Sequence, residues 1–274
     1  DHQQFINNTF TKYYAVSKHL SSTHSLRFEH FCNYLNIKCQ KAPSSSMFNT
    51  SQMEALYLTE EYSFDTFLLQ NLYKQKVDNA TNIDTFLSST VTHVEKDSHN
   101  FLISLKNTKE YLIQTPMVIN AAYTGINAIN QLFQQPAIET VYELTEVCLV
   151  HSRQLKNVGL TVLDGRFISI MPFGLSGLLS LTSVQYTPHK ISNHPLPTFS
   201  CQKNTDKCQP NNISICSYCP AKPKSNVYKM LRQTQQYFKE PLDLTHFSSL
   251  FTVKTKLKSS YIDDARPTCI DTTS

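Results

Sequence analysis

Apolar and polar positions alternate in short runs through the second half of the chain, and the densest set lies between Gly159 and His189. Three runs follow one another there, LTVL, FISIMPF and LLSLTSV, bounded by Gly or Pro. Such runs predict neighbouring strands joined by tight turns, with Asp164-Gly165 as one turn signal. Four of the five glycines (Gly159, Gly165, Gly174, Gly177) fall in this stretch, and the fifth is Gly125. The stretch reads as a strand meander lining one wall of a core or pocket.

Earlier segments carry other periods. Phe5, Phe10, Tyr13, Tyr14, Val16 and Leu20 form one set, and Leu26, Phe28, Phe31, Cys32 and Leu35 a second. Their spacings of three and four predict two amphipathic helices, broken at Ser21–Thr23, with Ser25 capping the second. Ala42–Gln52 is a loop by composition. Leu56–Leu58 predicts a short strand. Ser63–Lys76 predicts a helix with Phe64, Phe67, Leu68 and Leu72 on one face and Asp65 near its start. A strand over Phe86–Val94 follows. Phe101, Ile103 and Leu105 then face Tyr111 and Ile113 across a turn at Lys106–Lys109, a hairpin that feeds a strand MVINAA, Met117–Ala122. Beyond Gly125 come a short helix (Ile126–Phe133), a long strand (Glu139–Val150), the meander, a helix capped by Ser225 (Asn226–Phe238) and a last strand (Val253–Leu257). The fold class is α/β, more closely α+β.

Composition narrows the function. The 274 residues are 40% hydrophobic and can bury a sizeable core. A net charge of +4, spread along the chain, does not argue for a nucleic-acid partner. Nothing reaches the roughly 18 apolar residues needed to span a bilayer; Phe167–Leu181 comes nearest and is interrupted by Pro172 and two glycines. A cytoplasmic location is expected, with no integral membrane segment. The chain opens at Asp1 and closes on the polar run Asp271–Ser274, so the ends of a longer protein are expected to be missing. No Ser/His/Asp pattern, HExxH or P-loop points to a hydrolase or an NTPase.

Four of the eight cysteines crowd one loop as Cys201-x6-Cys208-x7-Cys216-x2-Cys219. Four thiolates at this density suit a structural tetrahedral zinc site; an iron–sulfur cluster and two local disulfides are the alternatives. A closed four-ligand site would staple the loop rather than catalyse. Cys32, Cys39, Cys148 and Cys269 read as buried apolar residues.

Several motifs stand in a telling order. MVINAAYTG (Met117–Gly125), DGRFISIMPFG with LTSVQYTPH, EEYSFDTFLLQNLYKQ followed by TFLSSTVTHVEKD, and DDARPT (Asp263–Thr268) together resemble the D-amino-acid-oxidase-like family of FAD-dependent oxidoreductases. The resemblance covers most of the chain. It implies an incomplete FAD-binding α/β layer over 1–135 with a helical N-terminal part. It implies an antiparallel substrate domain over 136–258 with the cysteine-rich loop 201–219, and a return towards the FAD-binding domain over 259–274. Val91, Ala121, Ala122 and Gly125 would meet the FAD. Arg266, Tyr186 and His189 would bind a small-molecule substrate; Arg166 stands where relatives often have Pro. The reaction implied is oxidation of a small amine, amino acid or hydroxy acid by hydride transfer to the flavin. One departure is plain: the chain has no GxGxxG and no glycine before Gly125, where the family places its pyrophosphate turn. A non-enzymatic binding domain that kept the fold but lost the cofactor is therefore the alternative reading.

Overall fold

A computed structural model describes residues 2–19, 21–43, 47–163, 165 and 167–260. Among them the chain runs β1 (Ile6–Asn7), β2 (Thr11–Ser17), α1 (Ser25–Tyr34), β3 (Cys39–Lys41), β4 (Met53–Thr59), β5 (Ser63–Phe64), α2 (Thr66–Asp78), β6 (Thr90–Lys96), β7 (Phe101–Lys106) and β8 (Glu110–Thr115). It continues as α3 (Ile126–Leu132), β9 (Thr140–His151), β10 (Val158–Leu163), β11 (Ile168–Pro172), β12 (Leu179–Ser183), β13 (Pro188–Ser192), α4 (Val227–Gln235) and β14 (Thr245–Leu257). The fold is mixed α/β with largely antiparallel sheets, as the pattern predicts.

Two compact units are each assembled from separate stretches. The first takes Asp1–Thr81, Glu146–Pro188 and Lys224–Leu250; the second takes Asn82–Thr145, His189–Pro223 and the stretch that starts at Phe251.

The first unit is built on a sheet in the order β9-β12-β11-β10-β2-β4-β3. The predicted meander is β10, β11 and β12, paired antiparallel through Leu160↔Ile170 and Ile170↔Leu181. Alternation along these strands separates two faces. Ala15, Leu160, Val162, Ile168, Ile170, Leu179, Leu181, Cys148 and Val150 form the buried face, and Val227 and Met230 of α4 with Tyr237 and Phe238 close over it. The opposite face carries Lys12, Tyr14, Thr161, Ser169, Met171, Ser180 and Thr182, which share a side by the same registers.

The first predicted helix is instead β2. Its Thr11–Val16 pairs parallel with Val158–Leu163 and antiparallel with β4. Aromatic and β-branched residues favour a pleated, half-buried surface, and Tyr13 and Ala15 complete the apolar face. α1 forms where predicted, but His24 is its N-cap, without a side-chain bond; Ser25 donates its N–H and hydroxyl to Glu54 at 3.0 and 2.7 Å. α2 starts at Thr66, capped by Asp65 Oδ1, which accepts from Leu68 N at 3.0 Å. Its predicted apolar face is not buried. Asp65 Oδ2 also accepts from Leu175 N at 3.0 Å, so the β11–β12 turn is fixed to the start of α2. Gly174 in that turn has φ +57°, and a Cβ there would stand 2.6 Å from Asp65 Cα. Only glycine fits.

In the second unit β6, β7 and β8 form the predicted hairpin sheet, with Ile103↔Ile113 in register, although β6 begins at Thr90 rather than Phe86. The predicted strand Met117–Ala122 does not form. Pro116 removes a ladder donor, and local side chains take the backbone groups instead: Asn120 Nδ2 donates to Ile126 O at 2.9 Å, and Ala122 N donates to Asn120 Oδ1 at 3.2 Å. Buried Asn127 ties α3 down, donating to Pro195 O at 2.8 Å and accepting from Ile138 N at 2.9 Å. A small core of Tyr142, Leu144, Phe199 and Val253 underlies the cysteine loop. In the first unit, α4 opens at Asn226, and Ser225 Oγ accepts from Val227 N at 3.0 Å. The last strand begins well before Val253.

Leu181→Ala, on the buried face, is expected to cost about 2–5 kcal/mol, whereas its neighbour Thr182→Ala on the other face should change stability by at most about 0.5 kcal/mol. Urea unfolding followed by circular dichroism measures both; equal losses would contradict the two-faced sheet. By the same assay, Gly174→Ala should lose about 1–3 kcal/mol through backbone strain.

Candidate functional site

The polar face of the first unit's sheet is centred on Lys12. Burial of a lysine among strands needs partners for its ammonium, and the registers supply them. Lys12 Nζ lies 3.0 Å from Glu61 Oε2, donates to Thr161 Oγ1 at 2.7 Å and contacts Met171 Sδ at 3.0 Å. It also stands 4.7 Å from the centre of the Tyr14 ring. The Tyr14 hydroxyl donates to the same Glu61 carboxylate at 2.9 Å. Thr161 and Ser169 hydroxyls are bonded to each other at 2.8 Å. Thr59 pairs with Lys12 across β2 and β4, and its hydroxyl is buried without a hydrogen-bond partner among the described residues.

The two members of the ion pair differ in exposure: the Lys12 side chain is 1% exposed and that of Glu61 37%. Burial pulls the Lys12 ammonium below its ordinary value, and Glu61 opposes the shift. Burial and the Glu61 charge push the Tyr14 phenol up, so it stays a proton donor. α1 covers one end of this face through Phe28, 5.8 Å from the Tyr14 ring and 5.2 Å from that of Tyr57. Thr161, Ser169, Met171, Ser180 and Thr182 remain half-buried. A carboxylate, hydroxyls and a thioether share this half-buried sheet face, with the ammonium buried beneath them.

The residues singled out from the sequence lie elsewhere. Val91 is half-buried on β6, opposite Leu105, and α3 packs on that strand. Ala121 and Ala122 are exposed and Gly125 is half-buried. Gly125 has φ −88°, an ordinary value, and a Cβ there would meet nothing nearer than Ala122 Cβ at 3.6 Å. The fold itself does not demand a glycine there. Small side chains leave the backbone open at this point, but among the described residues no glycine-rich turn with converging N–H groups makes a dinucleotide cradle. Tyr186 packs against the apolar core of the first unit, its carbonyl accepting from Asn226 Nδ2 at 3.0 Å. His189, in the second unit, lies 5.5 Å from the Phe251 ring. Arg166 and Arg266, like Cys269, lie outside the described residues.

The four loop cysteines do come together. Cys201, Cys208, Cys216 and Cys219 line one small cavity with Leu144, Phe199 and Val253, and all four are free thiols. Burial, then the neighbouring Cys208, Cys201 and Cys219, push the Cys216 thiol up to about 11. Burial raises Cys201 as well, against the pull of Lys190. The zinc cage expected from the spacing is not assembled: among the described residues no group of three or more His, Cys, Asp or Glu stands as a metal-holding set. The same side chains are free thiols rather than the two local disulfides of the alternative reading. Cys32 and Cys148 are buried as expected, whereas Cys39 is half-buried.

No protein-family model matches the sequence, and no curated protein matches it. Solved structures do share the fold. Glycine oxidase from Geobacillus kaustophilus matches with a TM-score of 0.56 at 9% identity, over 94% of this chain and 62% of that one. L-proline dehydrogenase from P. horikoshii matches with a TM-score of 0.59 at 10% identity, over 94% of this chain and 63% of that one. The chain thus spans less than two thirds of the length of either. At such identities the likeness is one of fold.

Sequence reading missed Lys12 because β2 read as a helix; its signal was a lone lysine between Thr11 and Tyr13 in a strand-forming run. Glu61→Gln leaves the buried ammonium without its carboxylate and should cost about 1–3 kcal/mol near neutral pH. Because the folded-state value of Lys12 lies below its ordinary 10.5, the unfolded chain holds a proton that the folded one has shed in the window beneath that value. Stability therefore gains as pH rises through the window, and the deficit of the variant should shrink towards pH 10.5. Urea midpoints across pH measure this; a pH-independent deficit would contradict it.

Proposed function

We propose that this chain is part of an FAD-dependent oxidoreductase of the D-amino-acid-oxidase-like kind, which oxidises a small amine, amino acid or hydroxy acid. The observation that carries the reading is the polar face around Lys12, on the sheet of a fold shared with glycine oxidase and L-proline dehydrogenase. The motif order from the α2 segment to LTSVQYTPH supports the same family.

In this reading the chain's own residues bind and orient the substrate. The Glu61 carboxylate is the accessible charge, held in place by the buried Lys12 ammonium, and could meet a substrate's ammonium. Thr161 and Ser169 hydroxyls give direction, and Met171 supplies an adaptable apolar contact. Arg266 is a further candidate for a substrate carboxylate, and Tyr186 and His189 are further candidates for lining the substrate pocket. The flavin, when bound, would accept the hydride. Val91, Ala121, Ala122 and Gly125 would form only one edge of its site, since the described residues make no cradle by themselves; the longer protein would supply the rest. Exposed Met117 and Ile119, at 70% and 79%, are consistent with further covering there.

The second reading, a binding domain without cofactor, is favoured by the missing GxGxxG and by the coil at Met117–Ala122. One experiment separates them. The purified full-length gene product should show flavin absorption bands near one equivalent per chain, bleached anaerobically by a small amine, amino acid or hydroxy acid. Lys12→Met should lower kcat/KM by about tenfold or more, because Glu61 loses the ammonium that positions it. A colourless protein that takes up no FAD would leave the binding-domain reading in place.

A further inference from the structure

Two cysteines that the proposed reaction leaves unused meet beneath α1, where that helix packs on β3. We propose that Cys32 and Cys39 are an oxidation-sensitive pair, closed to a disulfide by a hydroperoxide, which pins α1 to the β3 edge of the first unit's sheet.

The contacts beside the pair set the two thiols opposite each other. Cys39 and Lys41 lie on one face of β3, and Glu29 and Cys32 lie on one side of α1, a turn apart. Lys41 Nζ stands 3.3 Å from Glu29 Oε1. The Tyr57 hydroxyl, opposite Lys41 in the β3–β4 register, donates to the same Glu29 oxygen at 2.7 Å. Glu29 is thus held over Lys41. The chain reverses between helix and strand, so one turn further along α1 brings Cys32 over Cys39, two residues back on β3. Their thiols are hydrogen-bonded to each other. The reversal itself is fixed: Asn36 takes φ 53°, a left-handed conformation that Asn tolerates, and Ile37 N donates to Cys32 O at 2.8 Å.

The surroundings suit a pair that rests as dithiol. Cys32 is 2% exposed and Cys39 is half-buried, so Cys39 is the thiol an oxidant reaches first. Burial, then the bond to Cys32, raises the Cys39 thiol, and a protonated thiol attacks slowly. Hydrogen peroxide completes the chemistry. The Cys39 sulfur attacks the O–O bond and becomes a sulfenic acid as one water leaves. The Cys32 sulfur then displaces the sulfenic oxygen, which leaves as a second water. Two S–H bonds and the O–O bond are broken and one S–S bond is made; the sulfurs give up two electrons and two protons, and the peroxide takes both.

The link would act on the polar face. Cys39, Thr59 and Lys12 share one row across β3, β4 and β2, and Phe28 of α1 packs on the rings of Tyr14 and Tyr57. Pinning α1 to β3 therefore fixes the cover at one end of that face. Cys148 belongs to the apolar core on the other side of the sheet and does not compete for either partner.

Peptide mapping of the full-length protein tests this. Trypsin cuts after Arg27, Lys38 and Lys41, so Cys32 leaves in Phe28–Lys38 and Cys39 in Cys39–Lys41. Native protein treated with hydrogen peroxide, alkylated and digested should yield these two peptides joined, and dithiothreitol should part them. Brief digestion of the native protein should cut at exposed Arg27 at least about threefold more slowly after oxidation, as local opening of α1 becomes rarer, and dithiothreitol should restore the rate. Cys39→Ser should show neither effect; should that variant fail to fold, the oxidised and reduced wild-type proteins decide. Separate alkylated peptides after oxidation, joining only in urea, Cys39 paired with another cysteine or carried on to the sulfinic acid, or joined peptides with unchanged cleavage at Arg27 would each overturn the proposal. None of these readouts depends on bound flavin.

Discussion

The parallel register of Thr11–Val16 against Val158–Leu163 is the constraint on which the first unit depends. Side chains alternate along a strand with period two, so a slip of one residue would exchange the faces. Lys12 and Tyr14 would enter the apolar core, and Tyr13 and Ala15 would face outwards. The buried row from Ala15 through Leu160, Ile170 and Leu181 forbids that slip, since each fits only on the side closed by α4. The polar face is the other consequence of the same alternation.

That face holds unlike groups together because strands distant in the chain meet there. Lys12 and Thr161 are brought into contact by β2 and β10, and Glu61 comes from the end of β4. The ammonium is buried, so Glu61 is less a decoration than the condition for keeping its charge. Asp65 does similar service a few residues on. One carboxylate caps α2 and holds the turn at Leu175, which fixes where β11 hands over to β12.

Local patterns were legible in the sequence where local physics decides. The meander, the hairpin of β7 and β8, α1, α2 and β9 all follow from periodicity and turn residues. Longer-range decisions were not. Phe10, Tyr13 and Tyr14 fit a helical spacing as well as a strand, and only the distant β10 and β4 select the strand. Met117–Ala122 is apolar enough for a strand, yet Asn120 satisfies its neighbours locally and no partner strand arrives. α2 has an amphipathic sequence, yet none of its side chains is fully buried. Of the site residues, the cysteines were legible because density in sequence became density in space. Lys12 was hidden because its importance lies in burial, which a single sequence does not display.

An experimental structure of the full-length gene product with its bound small molecules tests the central claim most directly, namely that the open polar face of the sheet is the ligand face. The expected result is a small polar ligand against the Glu61 carboxylate that the buried Lys12 ammonium holds. A structure in which that surface is covered by apolar side chains of the same protein, with no room for a ligand, would contradict it.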